Sequence, residues 1–289
     1  AVLATVRRWL WMGALCQHPA AQPTAASVVI DATNTTGPAT LRGQGFLWSV
    51  SATEPPDALL APLRPKLQRG RLTPWDEQNT TGLPSYPRLA DLGATIQVQV
   101  SGEYANLFDG YANIRQGQWP GDGGNWSLWD HVLEDSVRRV RAANLTVQWD
   151  IWEEPNWHGW WNASNGSQAQ FFETWRYAVR RLRAIDPAAQ IVGPSLNKYD
   201  PSTNPPTNWL QPFLLFAQQE NVLPDILTWH EILPSQGPRS IAWHAEDARS
   251  FMRQHGIAVR GIGINEVGSS DRQTNPGLVV WYLASLEAA

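Results

Sequence analysis

The chain has 289 residues, of which 43% are hydrophobic, and a formal net charge of -4 at neutral pH. This length allows one large core of barrel type or two smaller domains. The charge argues against a nucleic-acid partner, and no apolar run reaches the roughly 18 residues of a membrane span. Cys16 is the single cysteine, which excludes an internal disulfide and a cysteine-based metal site.

The N-terminal segment 1–30 shows no helical or strand periodicity. Arg7 and Arg8 precede an apolar stretch from Trp9 to Cys16, and small residues follow it. We therefore predict a signal-like or disordered segment at 1–30 and a folded domain at 31–289. Asn-x-Ser/Thr sequons are enriched, and they lie at Asn34, Asn79, Asn125, Asn144, Asn162 and Asn165. Together these features predict a secreted glycoprotein.

Short strand-like runs alternate with amphipathic helical runs along the rest of the chain. The predicted strands are 45–50, 71–73, 95–100, 145–152, 190–192, 226–230 and 259–265. The predicted helices are 57–67, 86–92, 128–143, 168–185, 209–221, 241–255 and 277–286.

Seven strand–helix units of this length indicate parallel crossovers, as in a doubly wound sheet or a (β/α)8 barrel. No Gly-x-Gly-x-x-Gly sequence follows the first strand, and no phosphate-binding loop of the Walker type occurs, which disfavours the doubly wound sheet. We therefore predict an α/β fold of the (β/α)8 TIM type, with the eighth strand missing from this chain.

Two glutamates stand where strand-like runs give way to turn residues. Glu154 follows the fourth predicted strand, and Glu266 follows the seventh. Catalytic residues of barrel enzymes lie at the carboxyl ends of different strands. Cleavage of a glycosidic bond requires two carboxyl groups, one to protonate the leaving oxygen and one to attack or stabilise the anomeric carbon.

The sequence Trp152-Glu153-Glu154-Pro155-Asn156 resembles the Trp-Asn-Glu-Pro-Asn motif that ends strand four in clan A retaining glycoside hydrolases. The resemblance is closest to the family 39 type, which includes β-xylosidases, α-L-iduronidases and exopolysaccharide hydrolases, and it covers about residues 42–289. It implies that Glu154 is the acid/base and Glu266 the nucleophile. His230 resembles the histidine that ends strand six, and Arg71 is similar in position to an arginine that supports the nucleophile.

The chain departs from the family pattern in three places. Glu153 replaces the asparagine that binds the sugar 2-hydroxyl, Glu231 replaces a tyrosine after strand six, and the eighth strand is absent. Strand alternation predicts that Glu153 points away from Glu154 or stands behind it, whereas a bulge would bring both carboxylates into the site. His230 has either a structural or a functional role.

Aromatic residues are the compositional outlier, because 17 of the residues are tryptophan. Six of them lie in polar, loop-like stretches and are candidates either for the core or for stacking against sugar rings: Trp119, Trp126, Trp129, Trp157, Trp160 and Trp161. We assign substrate contacts to Trp157 and Asn156, which follow Glu154 directly, and to Glu153, His230 and Arg71.

These patterns predict a retaining glycoside hydrolase that acts on a poly- or oligosaccharide by double displacement, without a cofactor or a metal. The expected partner is the carbohydrate substrate, with no nucleic acid or membrane, and the oligomeric state stays open. The alternative is a carbohydrate-binding pseudoenzyme of the same fold. A serine hydrolase is disfavoured, since no Gly-x-Ser-x-Gly sequence occurs.

Overall fold

The computed structural model describes residues 37–101, 119–157, 161, 167–201, 208–232, 240–268 and 274–289. The chain divides into two compact units, Ala1–Pro38 and Ala39–Ala289. The fold presented below is that of the second unit. The predicted signal-like segment 1–30 lies outside the described residues.

Seven parallel strands, ordered as in the sequence, form one sheet. Their bounds are β1 Gly45–Leu47, β2 Leu67–Gly70, β3 Thr95–Gln99, β4 Val147–Asp150, β5 Gln190–Leu196, β6 Ile226–Glu231 and β7 Gly261–Val267. The strands curl into a nearly closed (β/α)8-type barrel that lacks one strand, which confirms the predicted fold class.

Helices lie between the strands. They are α1 Asp57–Leu60, α2 Pro74–Gln78, α3 Tyr86–Asp91, α4 Ser127–Ala142, α5 Gln168–Ile185, α6 Leu210–Gln219, α7 Ile241–Gln254 and α8 Pro276–Ala288, with 3-10 turns at Ala61–Leu63 and Asp122–Gly124. Side-chain caps start three of them: Ser167, Ser240 and Asn275 each accept a hydrogen bond from a first-turn amide. None of the helices in the described ranges has the length and apolar character needed to span a bilayer.

The two faces of the sheet differ in chemistry, as β3 illustrates. Ile96 and Val98 belong to the hydrophobic core between the sheet and the helices. Gln97 is also buried, but its amide donates to Gln148 on β4 at 2.9 Å. Across the interior, Asn265 on β7 reaches Gln97 at 3.4 Å. Because β7 and β3 are far apart in sheet order, this contact shows that the sheet closes around a polar interior.

The gap in the barrel lies between β1 and β7, the two ends of the sheet order. A cavity of about 410 Å³ opens there. It is lined by the whole of β1 and by Ile264, Asn265 and Glu266 of β7. One of the two proposed catalytic carboxylates therefore borders this opening.

The second strand was predicted in the wrong place. It spans Leu67–Gly70 rather than 71–73. Gln68 and Arg69 are fully buried although they are polar. Arg69 faces the hydrogen-bonded interior of the barrel, whereas Gln68 lies on the opposite face and donates to the carbonyl of Arg69 at 3.0 Å. A search for apolar runs therefore passed over this strand.

Most of the loop-like tryptophans belong to the core. Trp119, Trp129 and Trp161 are buried, and Trp161 packs edge-on against Trp152 at a centroid distance of 5.0 Å. For these three the cleft interpretation is wrong. Trp126 stacks on Tyr177 of α5, and Trp160 lies outside the described residues.

Candidate active site

The end of β4 leaves regular strand geometry, and this places two adjacent glutamates in one site. Trp152 and Glu154 have φ values of 72° and 38°, in the left-handed region, which costs about 1–3 kcal/mol for each such residue. Trp152 turns into the aromatic core. The amide of Glu154 donates to the carbonyl of Ser195 on β5 at 3.0 Å. Glu153 therefore points inward and contacts Arg69. Of the two orientations predicted for it, the outward one is wrong, and a place behind Glu154 agrees with its burial.

Glu154 and Glu266 meet at one histidine nitrogen. Nδ1 of His230 lies 2.9 Å from Oε1 of Glu154 and 3.7 Å from Oε2 of Glu266. The two carboxylate oxygens consequently lie no farther apart than the sum of these distances. Residues on β4, β6 and β7 thus converge on one point inside the barrel, as the sequence predicted for Glu154 and Glu266.

Arg69 on β2 holds three carboxylates at once. Nε donates to Asp150 at 2.6 Å, Nη1 to Glu266 at 3.2 Å, and Nη2 to Glu153. The ion pair that the resemblance assigned to Arg71 is therefore made by Arg69. Arg71 pairs with Asp76 at 3.2 Å instead, and its contribution to Glu266 is the longer-range effect of its charge.

Burial shifts the protonation equilibria of this cluster. It raises the pKa of Glu266 to about 7, and Glu154 and Asp150 add to the rise while Arg69 opposes it. Burial likewise raises the pKa of Glu153 to about 7, against the opposing charges of Arg69 and His230.

The pKa values of the two basic residues in the cluster, His230 and Arg69, shift in opposite directions. Burial lowers the pKa of His230 to about 4, so its ring is neutral at pH 7. Burial alone would lower the pKa of Arg69, but Glu153, Asp150 and Glu266 together raise it above its ordinary value. Arg69 therefore carries the positive charge at the centre of the site, and His230 serves as a neutral hydrogen-bonding partner.

A buried polar network supports Asp150, the first partner of Arg69. Ser195 Oγ donates to Asp150 at 2.6 Å and lies 2.9 Å from Thr228 Oγ1. The amide of Asn265 donates to Ser195 at 3.0 Å and to Asp150 at 3.3 Å. These contacts connect β4, β5, β6 and β7 beneath the carboxylates and fix the guanidinium of Arg69.

Asn156 and Trp157, which follow Glu154 in the loop after β4, have different surroundings. The amide of Asn156 donates to the side chain of Asn197 at 2.9 Å and accepts from its backbone at 2.8 Å. Asn156 therefore ties the loop after β4 to the loop after β5. Trp157 is 38% exposed, and its backbone closes a turn onto Glu154. Substrate contacts by either side chain stay predictions.

One group among the described residues has the spacing of a cation site. Ligand atoms of Glu153, Glu154 and His230 all lie within 4.8 Å of one another. Glu153 is already paired with Arg69, and Nδ1 of His230 contacts Glu154. Since these contacts use the same groups for ion pairing and proton exchange, we assign no metal to them.

Sequence reasoning missed Arg69, Asp150 and Ser195. Arg69 precedes the expected second strand. Asp150 lies inside the predicted strand four, whereas the prediction rested on carboxylates at the end of that strand, Glu153 and Glu154. The available signal was a row of polar residues in register on consecutive strands, Arg69, Gln97 and Gln148. Glu231 accepts from Trp229 Nε1 at 2.8 Å and contacts His244 on α7 at 2.7 Å, so this departure from the family pattern has a structural role.

Comparison with known proteins finds glycosidases among those similar to this chain. No protein-family profile matches the chain. A 3-O-alpha-D-galactosyl-alpha-L-arabinofuranosidase of Bifidobacterium longum subsp. longum is 24% identical over 184 residues, covering 55% of this chain and 16% of the relative. A 3-O-beta-L-arabinopyranosyl-alpha-L-arabinofuranosidase of Bifidobacterium pseudocatenulatum is 24% identical over 166 residues, covering 57% and 15%. The match thus spans about a sixth of the length of these relatives.

Solved structures share the barrel. The structure of N2152 from Neocallimastix frontalis has a TM-score of 0.60 and 25% identity, covering 79% of this chain and 53% of that one. A glucosidase from Croceicoccus marinus has a TM-score of 0.55 and 18% identity, covering 78% and 51%. The chain is therefore similar in sequence to two arabinofuranosidases and in fold to N2152 and to a glucosidase. The narrower resemblance to the family 39 type stays a prediction.

Proposed function

We propose that the protein is a retaining glycoside hydrolase, with Glu154 as the acid/base and Glu266 as the nucleophile. The observation that carries this proposal is the meeting of the two strand-end carboxylates at Nδ1 of His230. Glu154 gives its proton to the glycosidic oxygen while Glu266 attacks the anomeric carbon. A water molecule that Glu154 deprotonates then releases the sugar from Glu266.

The spacing of the carboxylates supports retention. Retaining glycosidases hold them about 5–5.5 Å apart, and inverting enzymes leave roughly 6.5–9.5 Å for a water molecule. Because Glu154 and Glu266 contact the same nitrogen at 2.9 and 3.7 Å, their separation favours the shorter spacing. Arg69 supports the same assignment, since its charge stabilises Glu266 in the ionised form that attacks.

The relatives support a carbohydrate as the substrate class. Two sequence relatives are arabinofuranosidases, and one fold neighbour is a glucosidase. We therefore propose a carbohydrate substrate, for which aryl α-L-arabinofuranosides and aryl glucosides form the first panel. We also propose that the protein is secreted, because the sequon asparagines in the described residues, Asn79, Asn125 and Asn144, are all exposed.

The test compares Glu154→Gln with Glu266→Gln on this panel. Glu154→Gln should lower turnover of poorly activated glycosides by about 10²- to 10⁴-fold, and should spare the first step for aryl leaving groups that need no proton. Glu266→Gln should abolish both steps. Azide should restore turnover to the Glu154 variant and leave a glycosyl azide of retained configuration.

Glu231→Gln is the matched control, because Glu231 is also a buried strand-end carboxylate but contacts Trp229 and His244 instead of the catalytic pair. In Glu231→Gln, the dependence of turnover on the leaving group should be the same as in the wild type. Full turnover by Glu266→Gln, or an azide product of inverted configuration, would disprove the double-displacement proposal.

A second candidate function is carbohydrate binding without turnover. It is favoured by the pKa of Glu266, which burial raises to about 7, so that much of the population holds a protonated, unreactive carboxyl group at neutral pH. Calorimetry with oligosaccharides and labelling with a cyclophellitol-type epoxide separate the two candidates. Binding together with labelling of Glu266 supports the hydrolase, and binding without labelling supports the binding protein.

A further inference from the structure

The most unusual feature of the site is that one guanidinium serves three carboxylates. Each nitrogen of Arg69 has its own partner, with Nε on Asp150, Nη1 on Glu266 and Nη2 on Glu153. Three of the five N–H donors of the guanidinium are thus engaged by carboxylates, one on each nitrogen. The three carboxylates therefore share a single positive charge.

Glu153 and Glu266 differ in access to solvent. The side chain of Glu153 is 3% exposed and that of Glu266 is 18% exposed, at the border of the cavity between β1 and β7. Glu153 therefore acts on protein groups, whereas Glu266 is open to a ligand. Asp150 is held by Ser195 and Asn265 as well as by Arg69, but Glu153 has Arg69 as its ion-pair partner among the described residues.

We propose that Glu153 is a positioning residue that competes with Glu266 for Arg69 and so controls how much of the guanidinium charge stabilises the ionised form of Glu266. The effect on catalysis depends on the hydrolase proposed above, but the competition itself does not. When Glu153 is ionised, Arg69 is shared and Glu266 is harder to ionise. When Glu153 is neutral, more of the positive charge is available to Glu266.

The groups that face Glu153 come from every strand around it. Arg69 on β2, His230 on β6 and Glu266 on β7 act on its charge, Glu154 lies close to it, and Asp150 shares Arg69 with it. His230 is neutral at pH 7 because burial lowers its pKa to about 4, so Arg69 is the cation that contacts Glu153. Within the part of the chain that the structure describes, removing the charge of Glu153 therefore acts through Arg69.

The sign of the effect distinguishes this role from a merely structural one. Loss of a nearby like charge lowers the pKa of a carboxyl group. Glu153→Gln should therefore lower the pKa of Glu266. If Glu153 served only to anchor Arg69, its loss would free the guanidinium to move, and the pKa of Glu266 would stay the same or rise.

The experiment follows the carboxyl carbons of ¹³C-labelled glutamate by NMR as a function of pH, with the signal of Glu266 assigned by its loss in Glu266→Gln. In the wild type, Glu266 should titrate near neutrality. In Glu153→Gln its midpoint should fall by about one pH unit, the size of effect expected between two neighbouring carboxylates. Glu153→Asp, which keeps the charge, should retain the high midpoint, and the control Glu231→Gln should not move it.

Glu153→Asn, a shorter neutral variant, repeats the measurement if Glu153→Gln folds poorly by circular dichroism. An unchanged or higher midpoint in the neutral variants, or an equal fall in Glu231→Gln, would overturn the inference. The acidic limb of kcat/KM should move in the same direction as the midpoint. Absence of turnover on every glycoside, with the shift in midpoint still present, would reject the proposed hydrolase and leave the competition for Arg69 intact.

Discussion

Arg69 on β2 donates to Glu266 on β7 at 3.2 Å, across the interior of the barrel. The two strands lie on either side of β1 and the gap in the barrel, and no sheet hydrogen bonds pair them within the described ranges. Their contact therefore depends on both side chains projecting inward. Arg69 therefore stabilises the ionised form of the proposed nucleophile and offsets part of the negative charge of the buried carboxylates around it.

Replacing Arg69 with methionine should destabilise the fold strongly. Removing one partner of a buried ion pair costs about 3–5 kcal/mol, because the remaining charge is left uncompensated, and Arg69 is buried with three such partners. Urea unfolding measures the loss. Arg260→Met is the control, since Arg260 pairs with Asp225 at the surface and should cost less than about 1 kcal/mol. Similar losses in the two variants would contradict the central role of Arg69.

The neutral, buried state of His230 predicts an acid-sensitive contribution to stability. Burial lowers its pKa from 6.5 to about 4, so the folded state disfavours the proton that the unfolded state accepts. This contribution is complete above pH 6.5 and is lost as the pH falls towards 4. The raised pKa values of Glu153 and Glu266 act oppositely, because they stabilise the fold at acidic pH and lose that effect as the pH rises through 7.

The variant His230→Gln isolates the histidine contribution. The free energy of unfolding of the wild type, measured relative to this variant, should fall by about 2 kcal/mol between pH 7 and pH 5. Denaturant titrations at the two pH values provide the measurement. If the difference in unfolding free energy between the wild type and His230→Gln were constant with pH, His230 would have the same pKa in the folded and unfolded states, which would contradict this prediction.

The sequence predicted the parts of this protein in which hydrophobic periodicity and burial agree. Helix α5 was predicted at its observed bounds, Gln168–Ile185, because one apolar face and the closing Asp186-Pro187 pair both mark it. Strand β2 was not found in its place, since the buried Arg69 depends on ion pairs that only the closed barrel provides. Glu154 and Glu266 were identifiable because turn residues follow them.

Secretion predicts glycans on the exposed sequons. Asn79, Asn125 and Asn144 are exposed, and Oδ1 of Asn125 accepts from Ser127 Oγ of the same sequon at 2.7 Å. Expression in a glycosylating host should give a protein whose mass falls on treatment with peptide N-glycosidase F. The triple Asn→Gln variant should show a smaller fall. Unmodified peptides at all three sites would contradict passage through the secretory pathway.

Trp129 and Trp157 should respond to substitution in opposite ways, because one is a core residue and the other faces solvent beside the site. Trp129 has no exposed surface and packs edge-on against Trp152 at 5.7 Å. Trp129→Ala should cost about 3–5 kcal/mol in urea unfolding.

Trp157 is 38% exposed and follows Glu154 in the turn after β4. Trp157→Ala should leave the unfolding midpoint nearly unchanged, and should raise KM or Kd for an oligosaccharide through the loss of a stacking face. An unaltered KM in Trp157→Ala would remove this residue from the substrate-binding set, and a small stability loss in Trp129→Ala would contradict its place in the core.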